Sequence, residues 1–307
     1  MPDAESSAVD TRRTPRARRD IRERMSRAEL ADWQVLDDKD IAIFTIRHLD
    51  GSEFPEFEVG QYTQLAFWDQ PTSDPRPRQL SIASSPLDLS HLEFYVILVR
   101  DVLDDGSNTP GIFTGTLWNH KPGDEILYMP RPAGRFTLSR TDQPEVICIA
   151  TGTGLAPFVS MARAAWHTYK KTGKVDRRLT IVHGVSYANQ LGYRDELEAM
   201  AADSTFGLSY MPTVSRPDAD PSYTDLICRG RANDLVRLYF GQEMSGRVEP
   251  WFAGELLGEL QNRLTPSSAA IYLCGNPDMI SDAKPILAAN GYGTEGREAQ
   301  VITEDYW

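Results

Sequence analysis

Two arginines stand directly before an apolar run in RPRQLSIASS, residues 76–85. Arg76 and Arg78 carry planar guanidinium groups, which hold phosphate or carboxylate oxygens through paired hydrogen bonds. Leu80, Ser81, Ile82 and Ala83 follow at once, which is typical of a buried strand. The stretch therefore predicts an anion-binding clamp fixed to a buried strand.

A glycine-rich turn follows a buried strand at ATGTGLAP, residues 150–157. Gly152 and Gly154 lack a Cβ, so a phosphate can approach their backbone N–H groups at the N-terminus of the next helix. Pro157 suits the first turn of that helix. The spacing is not GxGxxG, which disfavours an ordinary Rossmann dehydrogenase. A purely structural turn remains an equally open interpretation of these residues alone.

A second strand-to-helix turn is predicted at YLCGNPDM, residues 272–279. Gly275 gives the turn its freedom and Pro277 starts the helix, which places Cys274 at the carboxyl edge of the sheet. Ligands of open α/β sheets bind at that edge. An isolated cysteine is also common as a small buried apolar side chain, so the pattern leaves both roles open.

Two loop arginines lie between these turns, Arg216 in VSRPD and Arg231 in GRAND. Single loop arginines are usually solvated, but the planar guanidinium group fits a phosphate well. Two of them on the same side of one domain favour a site for an adenosine 2′-phosphate.

The composition excludes several functions. The formal net charge is −12, whereas nucleic acid and anionic lipid both require a cationic face. The three cysteines lie far apart without a CxxC pair, so they predict neither a disulfide framework nor an iron–sulfur cluster. The five histidines are scattered without metal-ligand spacing, and we assign no metal.

The apolar runs are too short for a membrane span of roughly 20 residues, and the N-terminus lacks the apolar region of a secretory signal. We therefore expect a cytoplasmic protein without membrane or nucleic-acid partners. Residues 1–28 contain eight arginines and five acidic side chains. This composition predicts a solvated extension or, as the sharper alternative, a docking arm for an acidic partner.

The elements that position these motifs change in type along the chain. From about residue 30 to 140, short alternating runs separated by turns predict an all-β barrel or sandwich. After a border at residues 138–144, the continuous apolar runs EVICIATG and LTIVHGV flank a helical segment, which is typical of a βαβ unit. We predict a five-stranded, doubly wound α/β domain for this second half.

The order of the motifs resembles that of the ferredoxin–NADP reductase family, particularly its bacterial branch, from about residue 35 to Trp307. The series comprises RQLS, GIFTGTL, GDEILYMPRPAGRFTL, GTGLAP, the SR and GR pairs, CGNPDM and EDYW. The resemblance implies an antiparallel β-barrel FAD-binding domain at residues 29–141 and an α/β doubly wound five-stranded parallel-sheet NADP-binding domain at 142–307. The arginine-rich extension at 1–28 would precede both.

By this resemblance, Arg78 pairs with the FAD diphosphate and Ser81 hydrogen-bonds the reactive edge of the flavin. Leu80 departs from the R-x-Y-S pattern of the family, because an aromatic ring usually packs on the isoalloxazine there. The residues implied to bind the cofactors are Arg78, Gln79, Leu80, Ser81, Tyr95, Val96, Ile97, Leu98, Ile112, Phe113, Thr114, Thr153, Ser215, Arg216, Arg231, Cys274, Gly275, Asn276, Pro277, Met279, Tyr306 and Trp307.

For the pyridine nucleotide, the resemblance implies that Arg216 and Arg231 grip the 2′-phosphate. Ser186 stands where the bacterial branch commonly has a third arginine. Cys274 would lie beside the nicotinamide, and the terminal aromatic pair would form a lid over the flavin or its adenine. The implied catalytic residues are Ser81, Cys274 and Tyr306.

The implied activity is electron transfer between NADP(H) and a one-electron carrier such as ferredoxin or flavodoxin, through hydride transfer to or from FAD, in a monomer. Docking of an acidic carrier is expected to use local arginines such as Arg76, Arg131 or the extension. Two alternatives stay open. One is an NADH-dependent reductase component of an oxygenase system, which Ser186 keeps open, and the other is a flavin electron-relay or regulatory subunit.

Overall fold

The computed structural model describes residues 21–36, 40–70, 76–103, 105–244, 248–254, 256–261, 264–296 and 299–305. The elements of the first half are β1 Ser26–Val35, β2 Ile41–Arg47, β3 Tyr62–Ala66, β4 Arg78–Ser81, β5 Leu92–Ile97, β6 Arg100–Val102, β7 Asn108–Pro110, α1 Ile112–Trp118 and β8 Glu125–Tyr128. Alternation buries one face of these strands. In β2, for example, Ala42, Phe44 and Ile46 are fully buried, whereas Ile43 and Thr45 are half-buried.

Six of these strands form one sheet in the order β4-β3-β8-β1-β2-β5, with every neighbouring pair antiparallel. The edges β4 and β5 meet, because the N–H of Ala83 donates to the carbonyl of Glu93 at 2.8 Å. The curled sheet encloses a core that includes Phe44, Phe94 and Leu117. The all-β first half predicted from the alternation is confirmed, as is the antiparallel barrel that the resemblance implies.

The second half alternates strands and helices. Its elements are β9 Glu145–Thr151, α2 Ala156–Thr172, β10 Arg178–Val185, α3 Arg194–Ala201, β11 Leu208–Val214, β12 Cys228–Arg229, α4 Ala232–Tyr239, α5 Leu256–Gln261, β13 Ala269–Gly275, α6 Pro277–Ala289 and β14 Val301–Asp305. The strands form one parallel sheet in the order β12-β11-β10-β9-β13-β14. The doubly wound fold is confirmed. Its sheet has six strands instead of the predicted five, because the two-residue β12 is too short to leave a pattern in the sequence.

Both faces of the parallel sheet are buried, as its continuous apolar strands predict. In β9, Val146 and Cys148 pack in the cluster that contains α2, and Ile147 and Ile149 pack in the cluster that contains α4 and α6. The first cluster also includes barrel residues such as Tyr95, so the apolar packing of the second domain extends onto the barrel. Among the described helices, none combines the length and apolar character needed to cross a membrane.

A cluster of three charged side chains and one tyrosine joins the domains. We call Glu93, Arg163, Tyr193 and Glu196 the junction cluster. Arg163 of α2 donates to Glu93 of β5 at 2.6 Å and to both carboxylate oxygens of Glu196 at 2.7 and 2.8 Å. The hydroxyl of Tyr193 donates to Glu93 at 2.9 Å. Burial alone would lower the pKa of Arg163, but the hydrogen bonds to Glu196 and the charge of Glu93 raise it. The guanidinium therefore stays charged within the junction.

The chain enters the barrel inside the segment that the composition assigns to the extension. A short 3-10 helix at Ile21–Arg24 precedes β1, which begins at Ser26. Arg22 is buried, and its Nη1 donates to the carbonyls of Phe67 and Trp68 at 3.1 and 3.3 Å. Residues 1–20 lie outside the described residues, and the docking role of the extension stays a prediction.

Candidate functional site

A cleft of about 1570 Å³ lies between the two domains. The barrel contributes β4, β5 and the first turn of α1, and the parallel sheet contributes the turns after β9, β10, β11 and β13. These four turns follow the carboxyl ends of parallel strands, where open α/β sheets bind their ligands. Pockets for one drug-sized ligand span about 300–1,000 Å³. The cleft therefore has room for more than one such molecule.

Strand β4 places the predicted anion clamp along the barrel side of the cleft. All four of its residues line the cleft: Arg78, Gln79, Leu80 and Ser81. Arg78 is half-buried, and its Nη1 donates to the carbonyl of Arg76 at 2.8 Å. Leu80 packs against the barrel core. The strand thus presents a cation and a hydroxyl from a rigid, sheet-bound backbone.

Ser81 has a carboxylate partner that the sequence analysis missed. Ser81 is 4% exposed, and its Oγ donates to Oε2 of Glu304 at 3.2 Å. Glu304 lies in β14, opposite Cys274 of β13 in the parallel register. The sequence signal for Glu304 was its place in the quoted EDYW tail, but the contact joins residues 223 positions apart. Only the register of β13 and β14 brings this carboxylate to the barrel.

Strand β5 and the start of α1 complete the barrel wall. The predicted residues that line the cleft here are Tyr95, Val96, Ile97, Ile112, Phe113 and Thr114. Leu98 faces the interior instead, at 9% exposed, and does not line the cleft. The Oγ1 of Thr114 accepts a hydrogen bond from the N–H of Val99 at 3.2 Å. Thr114 therefore fixes the chain that leaves β5 against α1.

The glycine-rich turn after β9 approaches β13 so closely that no side chain fits. A Cβ on Gly154 would lie 2.5 Å from the carbonyl oxygen of Cys274. Gly152 has φ +54°, in the left-handed region that glycine adopts at little cost. Thr151, Gly152, Thr153 and Gly154 all line the cleft. The two glycines therefore bring backbone to the edge of the sheet, as the sequence predicts.

A buried histidine supports this turn from behind. His183 of β10 is fully buried; its Nε2 lies 3.1 Å from the carbonyl of Gly152 and its Nδ1 lies 3.3 Å from the hydroxyl of Tyr210. A carbonyl can only accept, so Nε2 carries the proton and Nδ1 accepts from Tyr210. Burial lowers the pKa of His183 to about 4, although the bond to Gly152 opposes the shift. The imidazole is neutral.

The turn after β13 presents backbone and an amide to the cleft. Gly275, with φ +123°, Asn276 and Met279 line the cleft. The Asn276 N–H donates to Oγ1 of Thr151 at 2.8 Å, and its side-chain oxygen caps α6 by accepting from the N–H of Asp278 at 2.7 Å. The turns after β9 and β13 are therefore tied together.

Two predicted residues of this stretch do not line the cleft. Cys274 is fully buried within the core cluster that contains α2, and Pro277 forms the first turn of α6. The predicted lid residues Tyr306 and Trp307 lie outside the described residues. Catalytic roles for Cys274 and Tyr306 stay predictions.

The predicted phosphate-binding arginines lie together on the sheet side. Ser215, Arg216 and Arg231 line the cleft, as does Ser186. Nη1 of Arg216 donates to the hydroxyl of Tyr187 at 3.2 Å, and the guanidinium lies 5.5 Å from the ring centroid of Tyr187. Among the described residues, no carboxylate forms an ion pair with Arg216 or Arg231. Both side chains therefore keep their charge available for an anion.

Acidic and amide side chains that the sequence analysis did not single out also line the sheet side. Asn233 of α4 and Asp282 of α6 hydrogen-bond each other, and Arg237 donates to the same carboxylate. The carboxylate of Asp282 is thus held by two donors. Within the part of the chain that the structure describes, no three His, Cys, Asp or Glu side chains group to hold a metal ion.

Comparisons with known proteins find similar oxidoreductases. The model of the oxidoreductase NAD-binding domain matches residues 148–285. A ferredoxin–NADP reductase of Azotobacter vinelandii is 29% identical over 77% of this chain and 80% of its own length. A flavodoxin/ferredoxin–NADP reductase of Escherichia coli is 28% identical over 82% of this chain and 88% of its own length.

The fold comparison agrees. The crystal structure of a ferredoxin NADP⁺ reductase from Neisseria gonorrhoeae with bound FAD and NADP superimposes with a TM-score of 0.69, at 22% identity, over 92% of this chain and 99% of that chain. The barrel and the wound sheet of this chain therefore have the two-domain fold of that structure. In sequence, the chain is similar to proteins named as ferredoxin–NADP and flavodoxin/ferredoxin–NADP reductases.

Proposed function

We propose that the chain transfers electrons between NADP(H) and a one-electron carrier such as ferredoxin or flavodoxin, by way of FAD held in the cleft. One observation carries this proposal. A single cleft is lined on the barrel side by an arginine, a serine and an aromatic strand, and on the sheet side by glycine turns and two arginines. Relatives named as ferredoxin–NADP and flavodoxin/ferredoxin–NADP reductases support the same activity.

The barrel wall fits FAD. Arg78 supplies a guanidinium for the diphosphate, and the first turn of α1 with Thr114 lies along the same wall. Ser81 donates its hydroxyl proton to Glu304, so its Oγ would meet the polar edge of the flavin as a hydrogen-bond acceptor. Tyr95, Val96 and Ile97 form a sheet-bound surface on which a flat ring can pack.

The sheet side fits the pyridine nucleotide. The backbone at Gly152 and Gly154 lies at the start of α2, where N–H groups and the helix dipole favour a phosphate. Arg216 and Arg231 supply two cations for a 2′-phosphate, and Asn276 places an amide-bearing turn at the opposite strand end. The nicotinamide would then reach the flavin across the junction of the two walls.

The residues of the chain orient the reactants and exclude water. Bound FAD would supply the redox chemistry, since a flavin takes up two electrons together and passes them on singly. Gly154 and Gly275 keep side chains away from the meeting point of the two walls, because a Cβ at either position would strike backbone. On the barrel wall, Ser81 donates its hydroxyl proton to Oε2 of Glu304. Close packing of oriented partners is the main contribution a protein makes to such a transfer.

The test uses the purified holoprotein. The expected result is a flavin absorbance spectrum, bleaching of that spectrum by NADPH without oxygen, and NADPH-dependent reduction of added ferredoxin or flavodoxin. An Arg78→Gln variant is expected to retain less FAD than an Arg27→Gln control, because Arg27 is an exposed residue paired with Glu125. A colourless wild-type protein, or a flavin that NADPH leaves oxidised, would overturn the proposal.

The choice between NADPH and NADH needs its own measurement, because Ser186 lines the cleft where a third arginine is common in the bacterial branch. We expect the flavin to be reduced faster by NADPH than by NADH at equal, subsaturating concentrations. Faster reduction by NADH would favour the reductase component of an oxygenase system instead. Reduction by neither nucleotide would favour a relay subunit.

A further inference from the structure

The segment after β10 touches both walls of the cleft; we call residues 186–192 the bridging loop. Its first residues, Ser186 and Tyr187, lie at the sheet side beside Arg216, and its last residues reach strand β5 of the barrel. A loop with contacts at both ends can transmit the position of one wall to the other.

Tyr95 of β5 holds the far end of the bridging loop. Its hydroxyl donates to the carbonyl of Gln190 at 2.8 Å and accepts from the N–H of Gly192 at 3.1 Å. Tyr95 is 4% exposed, and a Cβ on Gly192 would lie 2.7 Å from the Cζ atom of its ring. The loop backbone therefore lies flat on the tyrosine, and glycine is required there.

Gln190 passes this constraint to the near end of the loop. Its Oε1 accepts from the N–H groups of Ser186 and Tyr187 at 3.0 and 3.1 Å. The Tyr187 hydroxyl then accepts from Arg216. Three hydrogen bonds, linked through the covalent frames of Gln190 and Tyr187, thus connect Tyr95 on the barrel to an arginine of the proposed phosphate site.

We propose that Tyr95 is a positioning residue for the 2′-phosphate: its hydroxyl fixes the bridging loop so that Tyr187 and Arg216 are set for the nucleotide. This inference rests on the proposed function, because it assigns Arg216 to the 2′-phosphate. Tyr95 lies in the barrel wall that would hold the flavin and also contacts the bridging loop. We therefore expect it to affect the preference for NADP⁺ over NAD⁺ as well as the flavin.

The first test measures binding of NADP⁺ and NAD⁺ to the holoprotein by calorimetry. Tyr95→Phe keeps the ring and removes the hydroxyl, and a neutral hydrogen bond of this kind corresponds to a loss of roughly 3- to 10-fold. We expect this loss for NADP⁺ and less than about 2-fold change for NAD⁺, which lacks the 2′-phosphate. An equal loss for both nucleotides, or no loss, would overturn the proposal.

A matched control removes another buried hydroxyl at the domain boundary. The hydroxyl of Tyr272 donates to the carbonyl of Thr137 at 2.9 Å, away from the bridging loop. Tyr272→Phe is expected to leave the ratio of the NADP⁺ and NAD⁺ dissociation constants unchanged. A change as large as that of Tyr95→Phe would attribute the effect to general loosening of the domains and refute a specific role for Tyr95.

A double-mutant cycle tests the route through Arg216. If Tyr95 acts through that arginine, Tyr95→Phe has little further effect on NADP⁺ binding once Arg216 is glutamine, whereas independent residues give additive losses. Full additivity would overturn the proposed route. Gly192→Ala gives a second probe, since the added methyl pushes the loop off Tyr95 and should lower NADP⁺ affinity more than NAD⁺ affinity.

The two proposals fail in different ways. A wild-type protein that binds NADP⁺ no better than NAD⁺ would remove the 2′-phosphate assignment itself. A wild-type protein that prefers NADP⁺, with a Tyr95→Phe variant that keeps the same preference, would remove only the role of Tyr95.

Discussion

Arginines at the domain junction and arginines at the cleft differ in the charge of their partners. Arg163 contacts carboxylate oxygens of Glu93 and Glu196, and its side chain is 21% exposed. Arg216 contacts the hydroxyl and ring of a tyrosine. In both places arginine stands between two elements, but only at the junction is its charge neutralised.

The difference separates a structural role from a binding role. A guanidinium with two carboxylates has no remaining attraction for an anion, and it stabilises the arrangement of the elements that carry those carboxylates. A guanidinium that contacts neutral groups is held in place but keeps its full charge. The charge of the partner therefore indicates which arginines stabilise the fold and which can bind an anionic ligand.

Removal of the junction arginine should have the largest effect. Arg163→Met leaves Glu93 and Glu196 as partly buried carboxylates without their cation, and we expect a loss of about 3 kcal/mol in the free energy of unfolding. Urea denaturation of the holoprotein measures this loss. The control is Arg100→Met, since the ion pair of Arg100 with Asp40 is exposed and should contribute less than about 1 kcal/mol. Equal losses for the two variants would contradict the structural role of the junction.

Removal of a cleft arginine should change binding instead of stability. Arg216→Gln deletes a cation that faces the proposed 2′-phosphate, and a charge-assisted hydrogen bond is worth about 2 kcal/mol, or roughly 30-fold in affinity. We expect this loss in the dissociation constant of NADP⁺, little change for NAD⁺, and an unchanged urea midpoint. Arg27→Gln serves as the charge-matched control on the barrel surface. A loss of stability with intact NADP⁺ binding would place Arg216 in the same class as Arg163.

Local sequence patterns predicted the residues that line the cleft. They could not predict contacts that depend on the pairing of distant strands. Arg78 and Ser81 were identifiable because the strand and its polar residues are contiguous, and Gly154 because a turn between strand and helix has a local signature. The partner of Ser81 was not identifiable, since Glu304 reaches it through the pairing of β13 with β14.

Side-chain direction was the other limit. The sequence places Cys274 at the edge of the sheet correctly, but which face of a strand a residue presents depends on how both faces are covered. The structure turns Cys274 into the core beside α2 and leaves the edge to Gly275 and Asn276. Adjacent residues of one motif can thus have opposite surroundings.

His183 extends the comparison to a group that can lose its charge. Arg163 is buried with carboxylates and stays charged, whereas His183 is buried with a carbonyl and a hydroxyl, neither of which compensates a positive charge. Its pKa is accordingly lowered to about 4 from 6.5. As the pH falls, the unfolded chain binds a proton at this histidine before the folded chain does. The free energy of unfolding is therefore highest above pH 6.5 and decreases as the pH falls toward 4.

We expect protonation of His183 in the unfolded chain to leave the free energy of unfolding almost unchanged at pH 7 and to lower it by about 2 kcal/mol at pH 5. His183→Gln does not titrate, so its stability should fall less than that of the wild type between these two pH values, as urea midpoints would show. Parallel slopes for wild type and His183→Gln would mean that the imidazole is not held neutral. A protonated ring would keep the bond from Nε2 to the carbonyl of Gly152 and would lose only the bond from Tyr210, because a protonated Nδ1 cannot accept.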